Sequence, residues 1–190
     1  MGDFARWLVG EDASSVLGVE PSENMLEAAR SDSHPNIEYQ QGFVEELELP
    51  DAQFDLVVSS LVFHYVEDIQ PVFEKIHGWL KAGGTLVFST EHPITTAIQG
   101  KRRGWVDDND GKKIDWLVDD YSTEGERVSR WIVDGVVRYH RMLSTTINLL
   151  VESGFRITES HAPEHEEANE PELLEERQRP PLLFIRAIAD

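Results

Sequence analysis

The chain has 190 residues, 40% apolar and 28% charged, a balance that supports a folded core and argues against wholesale disorder. Seventeen Lys and Arg stand against thirty-six Asp and Glu, and the formal charge of −19 would repel nucleic acid. Cysteine is absent, which removes disulfides, thiolate metal sites and cysteine nucleophiles together. No apolar run reaches the roughly 20 residues needed to cross a bilayer, and the first residues show no secretory pattern. The expected location is the cytoplasm.

Val16–Glu20 is a β-rich run closed by Pro21, and Ser22 behind it is a good helix N-cap. Met25, Leu26 and Ala29 recur at helical spacing and predict a helix over 22–31. Ile37–Gln41 is a second, more polar strand; Phe54–Ser60 is an apolar run of the length of a buried parallel strand. Val72, Phe73, Ile76 and Leu80 share one face of a helix predicted over 69–80, which stops at Gly83 and Gly84. Residues 85–90 form the next strand. This alternation predicts an α/β fold on a mostly parallel sheet with helices on both faces.

From 91 to 127 the rhythm breaks into a polar stretch carrying Trp105, Trp116 and Tyr121, expected to be an irregular lid or functional loop. Asp134 and Gly135 then separate β-rich runs at 128–133 and 136–140, a hairpin signal. A helix over 144–152, stopped by Gly154, precedes strands at 155–160 and 182–188. Between those strands, 163–179 is rich in glutamate and reads as a solvated loop, with an acidic docking surface or a salt-adapted host as alternatives. The expected organisation is one domain over 1–190 with an inserted cap at 91–141.

Open α/β sheets bind ligands beyond the carboxyl ends of their strands. Glu20 sits at such an end, where an ionised carboxylate can accept from both hydroxyls of a ribose or simply cap the next helix. A backbone N–H near Val44 can meet the edge of a heterocycle, and Met25 or Phe43 can pack on its face or in the core. Ser59 and Ser60 are small enough for a ligand to approach, and His64 follows in the next loop.

Taken in order, VLGVEPSENMLEAAR (16–30), GFVEELELPDAQFDLVVSSLVFHYVED (42–68) and LKAGGTLVFS (80–89) resemble the class I S-adenosylmethionine-dependent methyltransferases. The resemblance implies a Rossmann-like seven-stranded sheet with S-adenosyl-L-methionine across its strand ends. It places Glu20 on the ribose, Met25 beside the adenine, Val44 and Glu45 at the adenine edge, and Ser60 near the methionine part. Phe43 stands where many relatives carry an aspartate. Gly2 matches the last glycine of the family's D-x-G-x-G-x-G loop, whose backbone N–H groups approach the cofactor. The family's first strand and most of that loop have no counterpart here, so the expectation is a truncated domain or a start downstream of the true one.

EHP at 91–93, RYHR at 138–141 and GFRITE at 154–159 resemble a subset acting on small molecules, which implies a small-molecule acceptor and neither nucleic acid nor membrane as partner. His92 and His140 flank the insertion and are the candidate bases where an acceptor must lose a proton. Trp105, Trp116, Tyr121, Trp131 and Tyr139 either line an apolar acceptor pocket or pack the cap. A catalytically inactive relative serving as a binding or regulatory protein is the alternative. A nicotinamide oxidoreductase fits poorly, since no G-x-G-x-x-G follows a strand. His161 and His165 have a metal-compatible spacing, but Pro163 lies between them and no metal is expected.

Overall fold

The computed structural model describes residues 2–99, 105–129, 135–162 and 179–190, and the backbone divides into two units, 1–49 and 50–190. Residues 101–103, Trp131, Asp134, His165 and the glutamate-rich run up to 178 lie outside the described residues. Among those described, no helix is long and apolar enough to cross a membrane.

The first unit contains α1 (Asp3–Gly10), β1 (Val16–Glu20), α2 (Glu23–Arg30), β2 (Ile37–Gln41) and a 3-10 turn at Val44–Glu46. β1 and β2 run parallel, with Val16 opposite Ile37 and Glu20 opposite Gln41. Ser22 caps α2 by accepting the Met25 N–H at 3.4 Å, which satisfies one of the donors a helix start leaves open. Leu26 and Ala29 turn inward from α2 and are buried, as are Ile37 and Leu47. Gly18 lets the sheet accept Tyr39, since a Cβ there would lie 2.7 Å from the Tyr39 ring. α1 is an addition to the elements expected from sequence. Phe4 and Trp7 stack along it at 5.4 Å and stay about half exposed.

The second unit contains β3 (Phe54–Ser60), a 3-10 turn at Phe63–Tyr65, α3 (Gln70–Trp79), β4 (Leu80–Glu91), α4 (Pro93–Thr96) and β5 (Trp105–Asp107). After these come β6 (Lys113–Trp116), β7 (Gly125–Ser129), β8 (Val136–His140), α5 (Leu143–Glu152), β9 (Phe155–His161) and β10 (Leu182–Ala189). Its main sheet has the order β3-β4-β10-β9. β3 is parallel to β4, and β10 is antiparallel to both β4 and β9, so β3, β4 and β9 share one direction and β10 runs against them. Phe63, Phe73 and Phe88 meet at centroid distances of 5.0 to 5.9 Å and anchor the core with Ile76, Leu86, Leu150 and Ile185.

Three boundaries differ from expectation. β4 begins at Leu80, not at 85, because a register shift between Phe54 and Leu56 accommodates the glycine pair that reads as a turn. The stretch 91–127, expected to be irregular, contains α4, the β5-β6 hairpin and most of β7. β7 starts at Gly125, three residues ahead of the expected 128, and pairs with β8 through Ser129 opposite Val136.

Candidate active site

In the first unit Glu20 ends β1, and its Oε1 accepts the Ser22 N–H at 3.0 Å, which fixes the carboxylate just beyond the strand. The Gly42 N–H donates to the Glu20 main-chain carbonyl at 3.4 Å, so the chain that leaves β2 toward Val44 and Glu45 starts beside the end of β1. Met25 lies in the first turn of α2, 38% exposed, and Phe43 precedes the 3-10 turn at 55% exposed. Gly2 holds φ 73° at the start of α1, and a Cβ there would come within 2.5 Å of the Tyr39 hydroxyl. Both the left-handed backbone and the close approach demand glycine.

In the second unit Ser60 is exposed at the end of β3. The Ser59 hydroxyl beside it is buried without a hydrogen-bond partner among the described residues. Leu61 then takes φ 56°, an uncommon backbone for a branched side chain, and its N–H donates to the Ser89 carbonyl at 3.0 Å.

A hollow of about 20 Å³ opens beside the ends of β4 and β8; His64, Phe88, Glu91, Tyr139 and Arg141 are among the residues lining it. That volume admits a single water-sized group. Glu91, the last residue of β4, forms an ion pair with Arg138 through Oε1, while its Oε2 is buried with no partner among the described residues. The buried His64 ring presents Nδ1 to the Glu91 N–H at 3.4 Å, with the Thr90 hydroxyl at the same distance. Burial pushes the His64 pKa down to about 4, with Arg138 and Arg141 acting in the same direction and Glu91 opposing. Arg141 donates to the carbonyls of Phe63, Val66 and Glu67, tying β8 to the turn that carries His64.

The two histidines singled out in the sequence occupy different surroundings. His140 is fully buried. Its Nδ1 lies 2.7 Å from the Thr96 hydroxyl, which donates to it, and its Nε2–H donates to the Tyr121 carbonyl at 2.9 Å. Both nitrogens are therefore occupied, and burial lowers the pKa of the ring. His92 caps α4, accepting the Ile94 N–H on Nδ1 at 3.2 Å, and burial lowers its pKa too. Trp116 donates from Nε1 to the Ile94 carbonyl at 3.2 Å, and the Arg179 guanidinium lies 3.7 Å over its ring. Trp105 meets Trp116 edge-on at 5.4 Å, so these aromatics hold the β5-β6 hairpin against α4. Tyr139 lines the hollow and Tyr121 packs on His140. Glu91, Arg138 and Arg141 were not singled out from sequence, although the EHP and RYHR motifs contain them.

A parallel strand pair closed by a carboxylate and a β3-β4-β10-β9 sheet with one reversed strand give a Rossmann-like α/β fold. A model of the methyltransferase domain family matches residues 1–88. The crystal structure of an S-adenosylmethionine dependent methyltransferase from Mesorhizobium loti superposes with a TM-score of 0.89 at 41% identity, over 98% of this chain and 86% of that one. A Listeria monocytogenes structure gives a TM-score of 0.91 at 33% identity, over 100% of this chain and 86% of that one. A malonyl-[acyl-carrier protein] O-methyltransferase of Halalkalibacterium halodurans is 31% identical over 134 residues, 62% of this chain; the match spans about half of that protein, 49%. The chain belongs to the class I S-adenosylmethionine-dependent methyltransferases, and its cofactor is S-adenosyl-L-methionine.

Proposed function

We propose that this chain transfers a methyl group to a small-molecule acceptor, with Gly2, Glu20, Met25, Val44, Glu45 and Ser60 serving the cofactor. The observation that carries the reading is the end of β1, where Glu20 is locked by the Ser22 N–H and offers acceptor oxygens only. Such a group suits the paired hydroxyls of a ribose. Met25 offers an exposed apolar surface for the adenine, and the turn at Val44 and Glu45 starts beside Glu20. Ser60, small and exposed at the end of β3, leaves room for a ligand group. When bound, S-adenosylmethionine supplies a methyl group on a positively charged sulfur.

The segment 91–141 serves as the cap over the acceptor in this reading. His140 holds that cap by joining α4 to the Tyr121 backbone, because neither ring nitrogen has a lone pair to spare. His92, with Nδ1 engaged in capping α4, retains Nε2 for contact with an acceptor. Alignment of acceptor and donor supplies much of the rate in such transfers. A demethylmenaquinone methyltransferase of Chlorobaculum parvum, 32% identical over 83 residues, supports a small-molecule acceptor.

Calorimetric titration with S-adenosylhomocysteine tests the cofactor assignment. Glu20→Ala is expected to weaken binding by ~1–3 kcal/mol, the range for losing a charge-assisted contact. Unchanged affinity would remove Glu20 from the site.

A further inference from the structure

The loop that leaves β3, residues 61–67, is fixed from outside itself. Leu61 enters it with φ 56°, and its N–H is shared between the Ser89 carbonyl at 3.0 Å and the Ser89 hydroxyl at 3.2 Å. Inside the turn the Tyr65 N–H donates to the Val62 carbonyl at 2.9 Å, and the Val66 N–H to the Phe63 carbonyl at 3.4 Å. A single 3-10 turn cannot satisfy its own last carbonyls. Arg141, just past β8, takes that task. Its Nη1 donates to the Phe63 carbonyl at 3.3 Å, and its Nη2 donates to the carbonyls of Val66 and, at 2.6 Å, Glu67. A planar guanidinium fork can serve several carbonyls at once, whereas an ammonium is a point charge on a flexible stem. The fork also starts from fixed backbone, since His140 is bonded to Thr96 and Tyr121, and Arg138 pairs with Glu91.

We propose that Arg141 is a positioning residue for the cofactor: it pre-orders the 61–67 loop, and with it the Ser60 end of β3, so that S-adenosyl-L-methionine meets a loop already in place. Arg141 acts through this loop. Without the fork the loop samples other conformations, and the apparent affinity of a ligand falls in proportion to the fraction of molecules that hold the competent one. Ordering the loop then becomes a cost of binding. The inference rests on the assignment of Ser60 to the cofactor and deepens it by naming what holds that strand end in shape. The strand that closes the 91–141 segment thereby also sets the loop on the cofactor side.

Calorimetric titration of S-adenosylhomocysteine into wild type, Arg141→Lys, Phe155→Leu and Ser60→Val tests it, with amide exchange followed over 61–67 before and after ligand is added. Arg141→Lys keeps the charge and loses the fork, and is expected to bind about tenfold more weakly. Its 61–67 amides should exchange faster than in wild type without ligand and slow when ligand is added; in wild type they are protected from the start. Phe155 lies on β9, at the opposite edge of the sheet from β3. Phe155→Leu should therefore lower the urea midpoint and leave affinity unchanged, which separates positioning from general destabilisation. Equal affinity in wild type and Arg141→Lys, unaltered exchange over 61–67, or an equal loss in Phe155→Leu overturns the proposal. If Arg141→Lys does not fold, wild type alone decides, because unprotected 61–67 amides in the absence of ligand refute pre-ordering. Unchanged binding in Ser60→Val refutes the Ser60 assignment, whereas weakened binding there beside full affinity in Arg141→Lys refutes the role of Arg141 alone.

Discussion

Residues 1–49 and residues 50–190 stabilise a strand-end carboxylate in contrasting ways. Glu20 is partly exposed and held by one backbone N–H, in a unit whose buried apolar residues, among those described, are Leu26, Ala29, Ile37 and Leu47. Glu91 is paired with Arg138 over a core built on Phe63, Phe73, Phe88 and both flanking helices. Burial carries most folding free energy. The first arrangement suits a carboxylate that must meet a large, polar ligand. The second suits one that orders a small hollow, where the surrounding charges and walls decide what enters.

The sharpest way to break this contrast is to empty each core in turn. Phe88→Ala removes a ring that touches both Phe63 and Phe73 and is expected to cost ~3–5 kcal/mol, read as a lowered urea midpoint. Leu26→Ala is expected to cost ~2–5 kcal/mol. Its effect should be local, with faster amide exchange over 16–41 and little change in β4 and β10. A uniform response to Leu26→Ala would show that the two units do not unfold independently.

Acidification sharpens the contrast further, because His64, His92 and His140 all belong to 50–190 and all have pKa values lowered by burial. For His64 the folded value is about 4 against 6.5 for an ordinary histidine. As the pH falls below 6.5 the unfolded chain takes up the proton first, so stability is complete above that value and drains away toward 4. Between pH 7.5 and pH 5 the His64 contribution falls by ~2 kcal/mol, measurable by urea unfolding at the two pH values. A stability that rises on acidification would contradict a neutral His64.

The smallest expected effect is at the support of the 91–141 segment. Thr96→Val keeps the shape and removes the hydroxyl that donates to His140 Nδ1, at a cost of about 1 kcal/mol. Amide exchange should rise around 93–97 and Tyr121, while Glu20-dependent cofactor binding stays unchanged. No change in exchange would mean that the aromatic contacts of Trp116 and Arg179 alone secure α4.

Much of the backbone was legible because its signals are local. β1, β2 and β3 occur at the residues their apolar patterns marked, and Ser22 caps α2 as its position before an apolar-periodic run implied. α1 was not anticipated, because none of its residues is buried and its aromatics Phe4 and Trp7 stay about half exposed, so it carries no core-facing signal. The β5-β6 hairpin escaped because Trp116 is held by the distant Arg179 and by the Ile94 carbonyl, neither of which follows from neighbouring residues. The same limit applies to the hollow. Glu91 and Arg138 are 47 positions apart, and only the folded chain makes them partners. His140 illustrates the converse: its sequence position suggested chemistry, while its neighbours Thr96 and Tyr121 give it a framework role.

The placement of β10 has a consequence for how the protein is made. β9 reaches the rest of its sheet only through β10, which is inserted between β4 and β9 yet follows both in the chain. During synthesis at roughly 5–20 residues per second, β9 must wait for residues 182–189 to emerge from the ribosome before it has a neighbour. Until then the edge of β4 that β10 will cover lacks its native neighbour.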